Sequence, residues 1–280
     1  MISVTCQKLV ASALMTIGFV AAARSSPPVI ADETETVGYI PRLLQAVGDR
    51  NARYYETDLG NTVADAARTY LTCDVAIICG GDLSANLYPG EVSYSDLSAV
   101  FSEDRRLAVT TITINDLHHI LEAGLSHITI DESEKIDGRA SAYDGFPQIS
   151  GFSLRYDASA PPGKRVMEIK INGVIADLSD ETTTITLAAT EYMLNGGYNL
   201  PAVNDQVPQD MTLSSVTARY IRDGMAGDTQ KDHRINLIGA DNNGILSIMP
   251  TQYILMIPLL FIVAYFSTGK NRRKEKDIIK

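Results

Sequence analysis

An α+β fold, with packed helices on a mixed sheet and one membrane-spanning helix after it, is the architecture this sequence predicts. Three observations carry that reading. Helical and strand periodicities interleave along the middle of the chain, two alternating segments flank a tight turn, and a long uncharged run precedes a basic C-terminus.

The first 25 residues hold Lys8, an apolar stretch from Leu9 to Ala23 and small residues at Ala21, Ala22 and Ala23. This is the pattern of a secretory signal peptide, too short to span a bilayer, with an uncleaved anchor as the alternative. Residues 26–39 read as a polar lead-in to a domain over 40–225. In "GNTVADAARTYL", Val63, Ala66, Ala67 and Tyr70 share one helical face. "DVAIIC" is a continuous apolar strand. Its extended backbone separates Cys73 from Cys79 by roughly 20 Å, so they do not pair with each other. "NDLHHILEAGLS" is a helix opened by Asn115 as N-cap, with Leu117, Ile120, Leu121 and Leu125 at helical spacing. Asp131–Gly145 reads as an exposed acidic loop. "FSLRYD" and "RVMEIKING" form a hairpin around "ASAPPGK". "TTITLAAT" is a further strand, and "SSVTARYIRDG" a helix ending at Gly224.

Residues 226–244 read as a juxtamembrane linker. From Ile245 to Phe266 no charged residue occurs, and 22 helical residues reach about 33 Å, enough to cross a bilayer. The span is assigned to 245–267. Lys270, Arg272, Arg273, Lys274 and Lys276 then make 268–280 a basic tail of the kind found on the cytoplasmic side. The expected topology is a single pass through the plasma membrane, ectodomain outside. Between Ser25 and Ile245 there are 32 acidic and 16 basic residues. So acidic a segment repels phosphate backbones, which excludes nucleic acid as a partner.

Four segments in register carry a family resemblance: "ETDLGNTVADAAR", "CDVAIICGGDLSANLYPGEVSYSDLSAVF", "FPQISGFSLRYDASAPPGKRVMEIKINGV" and "TEYMLNGGYNLP". Together they resemble the C-terminal domain of the 5'-nucleotidase/UDP-sugar hydrolase family. The resemblance implies a nucleoside pocket; in that family a separate metallophosphoesterase domain supplies two metal ions and the attacking water. None of His118, His119, His127 or His233 lies in a setting like the family's metal motifs, and no residue is assigned as catalytic, as a metal ligand or as holding a cofactor.

The pocket candidates implied by the resemblance are Arg53, Cys79, Gly80, Gly81, Ser84, Tyr192, Asn195, Gly196, Gly197 and Tyr198. Cys79 and Ser84 stand where the motif Asn-Gly-Gly-Gly-Ile-Arg has its contacting Asn and Arg, and Asp82 replaces its third glycine. The first stacking aromatic falls near Glu103, with Phe101 as a substitute. Tyr192 matches the second, and Tyr198 replaces the ribose-holding Asp. Arg53 matches a phosphate-facing arginine or is structural; Arg105 and Arg106 compensate for lost charge or form a solvated loop. Each lost charged hydrogen bond or stacking contact costs roughly 1–3 kcal/mol, so two such losses weaken a nucleotide by about two decades or more. The expected function is therefore a membrane-anchored, non-catalytic binding or interaction module with weak nucleoside or nucleotide affinity. The alternative is the substrate-binding half of a split nucleotidase completed by a separate metallophosphoesterase chain.

Overall fold

The computed structural model describes residues 34–133, 135–227 and 233–238. The expected signal peptide, most of the lead-in, the membrane span and the basic tail lie outside the described residues. Among the described residues no helix is long and apolar enough to cross a membrane.

In chain order the elements are β1 (Thr36–Ile40), α1 (Asp58–Leu71), β2 (Val75–Cys79), β3 (Gly90–Ser93), α2 (Tyr94–Val100), β4 (Arg106–Thr113) and α3 (Ile114–Leu125). There follow α4 (Gly138–Ser141), β5 (Pro147–Ser150), β6 (Phe152–Asp157), β7 (Val166–Ile171), β8 (Val174–Ile175) and β9 (Thr184–Thr190). The last are α5 (Glu191–Leu194), β10 (Val207–Thr212), α6 (Leu213–Arg222) and β11 (Ile235–Ile238).

Where one mixed sheet was expected, the described residues form three. The central sheet has the order β10-β4-β9-β2-β5, and only β2 and β9 run parallel in it. β1 and β3 form an antiparallel ribbon, and β11-β6-β7-β8 a third sheet. The expected hairpin is present as β6 and β7, antiparallel from Phe152↔Ile171 to Tyr156↔Val166. β2 explains its own composition. All five of its residues are buried; Ala76 and Ile78 belong to the core beneath α1 and α6, while Val75, Ile77 and Cys79 belong to the core beneath α3 and the β6–β7 hairpin. A strand covered on both faces reads as an unbroken apolar run. Cys73 and Cys79 are both free thiols, in agreement with the extended reading.

Two helix ends depart from expectation: α6 stops at Arg222 rather than Gly224, and α3 is capped elsewhere. The N-cap of α3 is Thr113, not Asn115: Thr113 Oγ1 accepts from Asp116 N (3.0 Å), and Asp116 Oδ2 accepts from Thr113 N (2.9 Å). The reciprocal Thr–Asp pair satisfies two otherwise orphaned donors, which a lone Asn at 115 would not. The ordered fold also passes both expected boundaries, since β1 starts at Thr36 and β11 falls inside the expected linker. The Asp131–Gly145 stretch contains α4 and an Ile130↔Ile136 bridge.

Candidate functional site

At the end of β2 the chain turns through Gly80, Gly81 and Asp82. Gly80 N donates to Phe146 O and Gly81 N to Asp144 O, each at 2.8 Å. A Cβ on Gly80 would lie 2.0 Å from Ala52 O, and one on Gly81 2.5 Å from Asp144 Cβ. Glycine is required there because two neighbouring loops close onto the turn. The loop before α1 is held by Gln148, fully buried in β5: its Nε2 donates to Ala52 O (2.9 Å) and Tyr55 O (2.8 Å), and its Oε1 accepts from Thr57 N (3.0 Å). Opposite the turn, α5 begins at its cap Thr190 and leads into Gly196 and Gly197. Gly196 takes φ +86°, and a Cβ on Gly197 would meet the Tyr192 ring at 2.4 Å. That contact sets Tyr192 against Tyr198, ring centroids 4.9 Å apart and planes at 83°.

Between these segments lies a cavity of about 300 Å³, lined by Gly81, Asp82, Ser102, Glu103, Arg105, Asp144, Tyr192 and Tyr198. Its most unusual feature is Arg105. The guanidinium carbon sits 3.7 Å from the centre of the Tyr192 ring and 5.5 Å from that of Tyr198. Arg105 Nε donates to Asp82 Oδ1 at 2.9 Å, and an Arg105 terminal nitrogen reaches Glu103 Oε2 at 2.7 Å. Tyr198 donates its hydroxyl to the same Asp82 Oδ1 at 2.8 Å, and Cys79 N donates to Oδ2 at 3.3 Å. The Tyr143 hydroxyl donates to Tyr198 O and braces the turn from behind.

Burial shapes the chemistry. Desolvation pushes the Asp82 carboxyl up to about 6, against the opposing pull of the Tyr198 hydroxyl and the Arg105 charge. Burial and the adjacent Asp82 raise the Tyr198 hydroxyl far above its ordinary range. Burial likewise pushes the Cys79 thiol well up, so Cys79 stays a neutral thiol and is no nucleophile at neutral pH. At the rim, Arg53 Nε pairs with Asp144 Oδ1 at 2.5 Å. The cavity thus meets three carboxylates, Asp82, Glu103 and Asp144, with both nearby guanidiniums already paired.

Of the sequence-assigned residues, Gly81, Tyr192 and Tyr198 line the cavity. Gly196 and Gly197 shape it without lining it. Arg53 approaches only through Asp144. Cys79 packs into the core and Gly80 against Ala52. Ser84 is exposed and hydrogen-bonds the Ser102 hydroxyl (3.2 Å), and exposed Asn195 accepts from Gln206 Nε2 (2.6 Å). Phe101 is a core residue, 3% exposed, and is not available to stack. Arg105 does not belong to a solvated loop: beside its local partner Glu103 it is held by Asp82, Tyr192 and Tyr198, which are distant in sequence and leave no local signal. Asp144 and Ser102 as lining residues were missed for the same reason. Among the described residues there is no group of three or more His, Cys, Asp or Glu placed to hold a metal ion. His118 and His119 stack at 5.7 Å on α3, and His118 approaches Glu122 at 3.5 Å.

Residues 34–205 match the family model described as 5'-nucleotidase, C-terminal domain. A trifunctional nucleotide phosphoesterase of Bacillus subtilis is 27% identical over 171 residues, covering 59% of this chain and 11% of that protein. The 5'-nucleotidase precursor of Thermus thermophilus superposes with TM-score 0.63 at 20% identity, over 76% of this chain and 41% of that one. The NAD nucleotidase of Haemophilus influenzae follows at TM-score 0.59 and 15% identity, over 74% of this chain and 39% of its own. The chain therefore spans well under half the length of these relatives. The matched region contains every residue lining the cavity, and the chain belongs to the 5'-nucleotidase C-terminal domain family.

Proposed function

We propose that this chain is a non-catalytic member of that family, a binding or interaction module anchored outside the cell by 245–267 with its basic tail in the cytoplasm. The single observation that carries the reading is Arg105 seated 3.7 Å over Tyr192, on the face where the family resemblance puts a base. Three carboxylates at the cavity add to it, because they oppose an approaching phosphate. Ser84, in the motif position of a contacting arginine, supplies no charge and faces Ser102 instead.

The test uses the full chain in detergent, with isothermal titration of AMP, adenosine and a UDP-sugar and an assay of phosphate release from AMP with and without divalent cations. The expected result is no binding below millimolar concentration and no chelator-sensitive phosphate release. Sub-millimolar AMP affinity or metal-dependent hydrolysis defeats the proposal.

A second reading has one observation in its favour: the solved relatives are more than twice as long as the region they share with this chain. On it, the chain is the substrate-binding half of a split 5'-nucleotidase whose metallophosphoesterase is a separate polypeptide. Co-purification of such a partner together with restored AMP hydrolysis would favour it.

A further inference from the structure

We propose that Tyr192, Tyr198, Asp82 and Glu103 form a receptor for a planar cation, that Arg105 is its built-in and displaceable occupant, and that the ligand class competing for the place is small guanidines. The inference rests on the cavity being the ligand cleft of the proposed function, but it is tested on a different form of the protein.

The geometry is that of a guanidinium site. The guanidinium carbon lies over one ring, 3.7 Å from its centre, with a second ring at 83° to the first closing the corner. An aromatic face attracts a cation through its quadrupole, most strongly where water is excluded. Asp82 Oδ1 accepts from Arg105 Nε at 2.9 Å, and the exposed Glu103 carboxylate adds an ion pair to a terminal guanidinium nitrogen at 2.7 Å. The Asp82 oxygen that takes the Arg105 bond also takes the Tyr198 hydroxyl, and Asp82 is itself 4% exposed. The acceptor is thus fixed in place rather than recruited by the arginine.

The occupant is a side chain whose departure leaves the backbone bonds of its own segment in place. Arg105 belongs to the short connection between Phe101 and β4. The connection is held at Phe101 N by Leu97 O (2.8 Å), at Asp104 Oδ1 by Ser214 N (2.9 Å) and at Arg105 O by Leu213 N (3.1 Å), none of which involves the Arg105 side chain. The Arg105 side chain can therefore rotate away without unpairing β4. About 300 Å³ of open cavity adjoins it, lined by the same residues, which lies at the small end of ligand-pocket sizes. Displacement leaves Asp82, Glu103 and Asp144 facing one space, a composition that favours a cation and opposes a phosphate.

The experiment compares the full-length wild type and Arg105→Ala by thermal unfolding, with methylguanidinium chloride as the probe and sodium chloride at matched ionic strength as the control. At ~10 mM probe the variant is expected to gain about 3 °C in midpoint, while the wild type, in which the probe must first displace Arg105, gains about 1 °C. Adding Tyr192→Leu to Arg105→Ala is expected to abolish the gain. Should Arg105→Ala not fold, Arg105→Gln is read instead, since it keeps the stem and loses the charge. No probe-specific gain in the folded variant overturns the inference, as does an equal gain in the wild type or in the double variant. Stabilisation of Arg105→Ala by adenosine with none by methylguanidinium also overturns it, by marking the face as a base platform. Nucleotide binding by the wild type would instead defeat the proposed function, so the two failures are separable.

Discussion

Asp82 shows how one residue couples the site to stability. Its folded carboxyl lies at about 6 against an ordinary 3.8, raised by desolvation while Arg105, Tyr198 and the Cys79 amide oppose the shift. Because the folded value is the higher one, the contribution is complete below the unfolded value and is lost as pH rises through about 6. Two pH units correspond to about 3 kcal/mol at most. Wild-type stability is thus expected to rise as pH falls from 7.5 to 5, and Asp82→Asn to lack that slope, in urea midpoints measured across the range. The slope is the readout, because the Asn amide also faces the Cys79 N–H and adds a pH-independent cost. Asp74, Asp131, Asp157, Asp177 and Asp180 are held low by hydrogen bonds chiefly from nearby Ser and Thr residues, and their opposite contribution is lost only at lower pH and in both proteins. Gln148 makes the second prediction at this scale. Gln148→Leu leaves Ala52 O, Tyr55 O and Thr57 N unpaired in the interior, and a loss of roughly 3 kcal/mol or more in denaturant stability is expected. Gly80 and Gly81 were legible in the sequence as pocket candidates of the family motif. The carbonyl and carboxylate-bearing loops that make glycine compulsory there come from residues 52 and 144, which no local pattern connects to it.

Helices and strands were legible wherever periodicity and burial agree. α1 and β9 appear where the pattern predicts them, because their apolar positions face a core on the expected side. β11 was not legible. "INLI" lies in a stretch that reads as linker, and it becomes a strand by pairing parallel with β6 from Ile235↔Leu154 to Ile238↔Asp157. Ile235 and Leu237 pack, partly buried, against the core beneath α3, and polar bonds pin the start of the strand. Arg234 donates to both Asp65 oxygens, at 2.8 and 2.9 Å, and to Ile149 O at 2.9 Å, while Ile235 N donates to Glu56 Oε2 at 3.1 Å. Arg234→Met should leave a largely buried Asp65 with the Ser150 hydroxyl but without its countercharge, and cost up to about 3 kcal/mol locally. Hydrogen exchange at Leu154 N, which donates to Arg234 O, is expected to accelerate while amides in α1 keep their protection. Uniform loss of protection would show that β11 is instead part of the global unfolding unit.

The molecule, over its described residues, is two cores back to back across one sheet. Ile78 lies in one core and Ile77 in the other, each with about 1% exposure or less. Ile77→Ala and Ile78→Ala are each expected to cost about 2–5 kcal/mol. Both should leave a single denaturation transition, since β2 joins the cores; two separated transitions in either variant would contradict that coupling. The sequence by itself determined the α+β class, the strand buried on both faces and the family, because periodicity, glycine placement and motif order are local and survive as strings of residues. Only the tertiary structure decided what the pocket contains. Asp82, Glu103 and Arg105, Asp144, and the Tyr192–Tyr198 pair come from four separate segments, and a charge in a sequence carries no record of its partner. An arginine beside an aspartate reads as solvated until the fold brings Tyr192 beneath it and the buried Asp82 against its Nε.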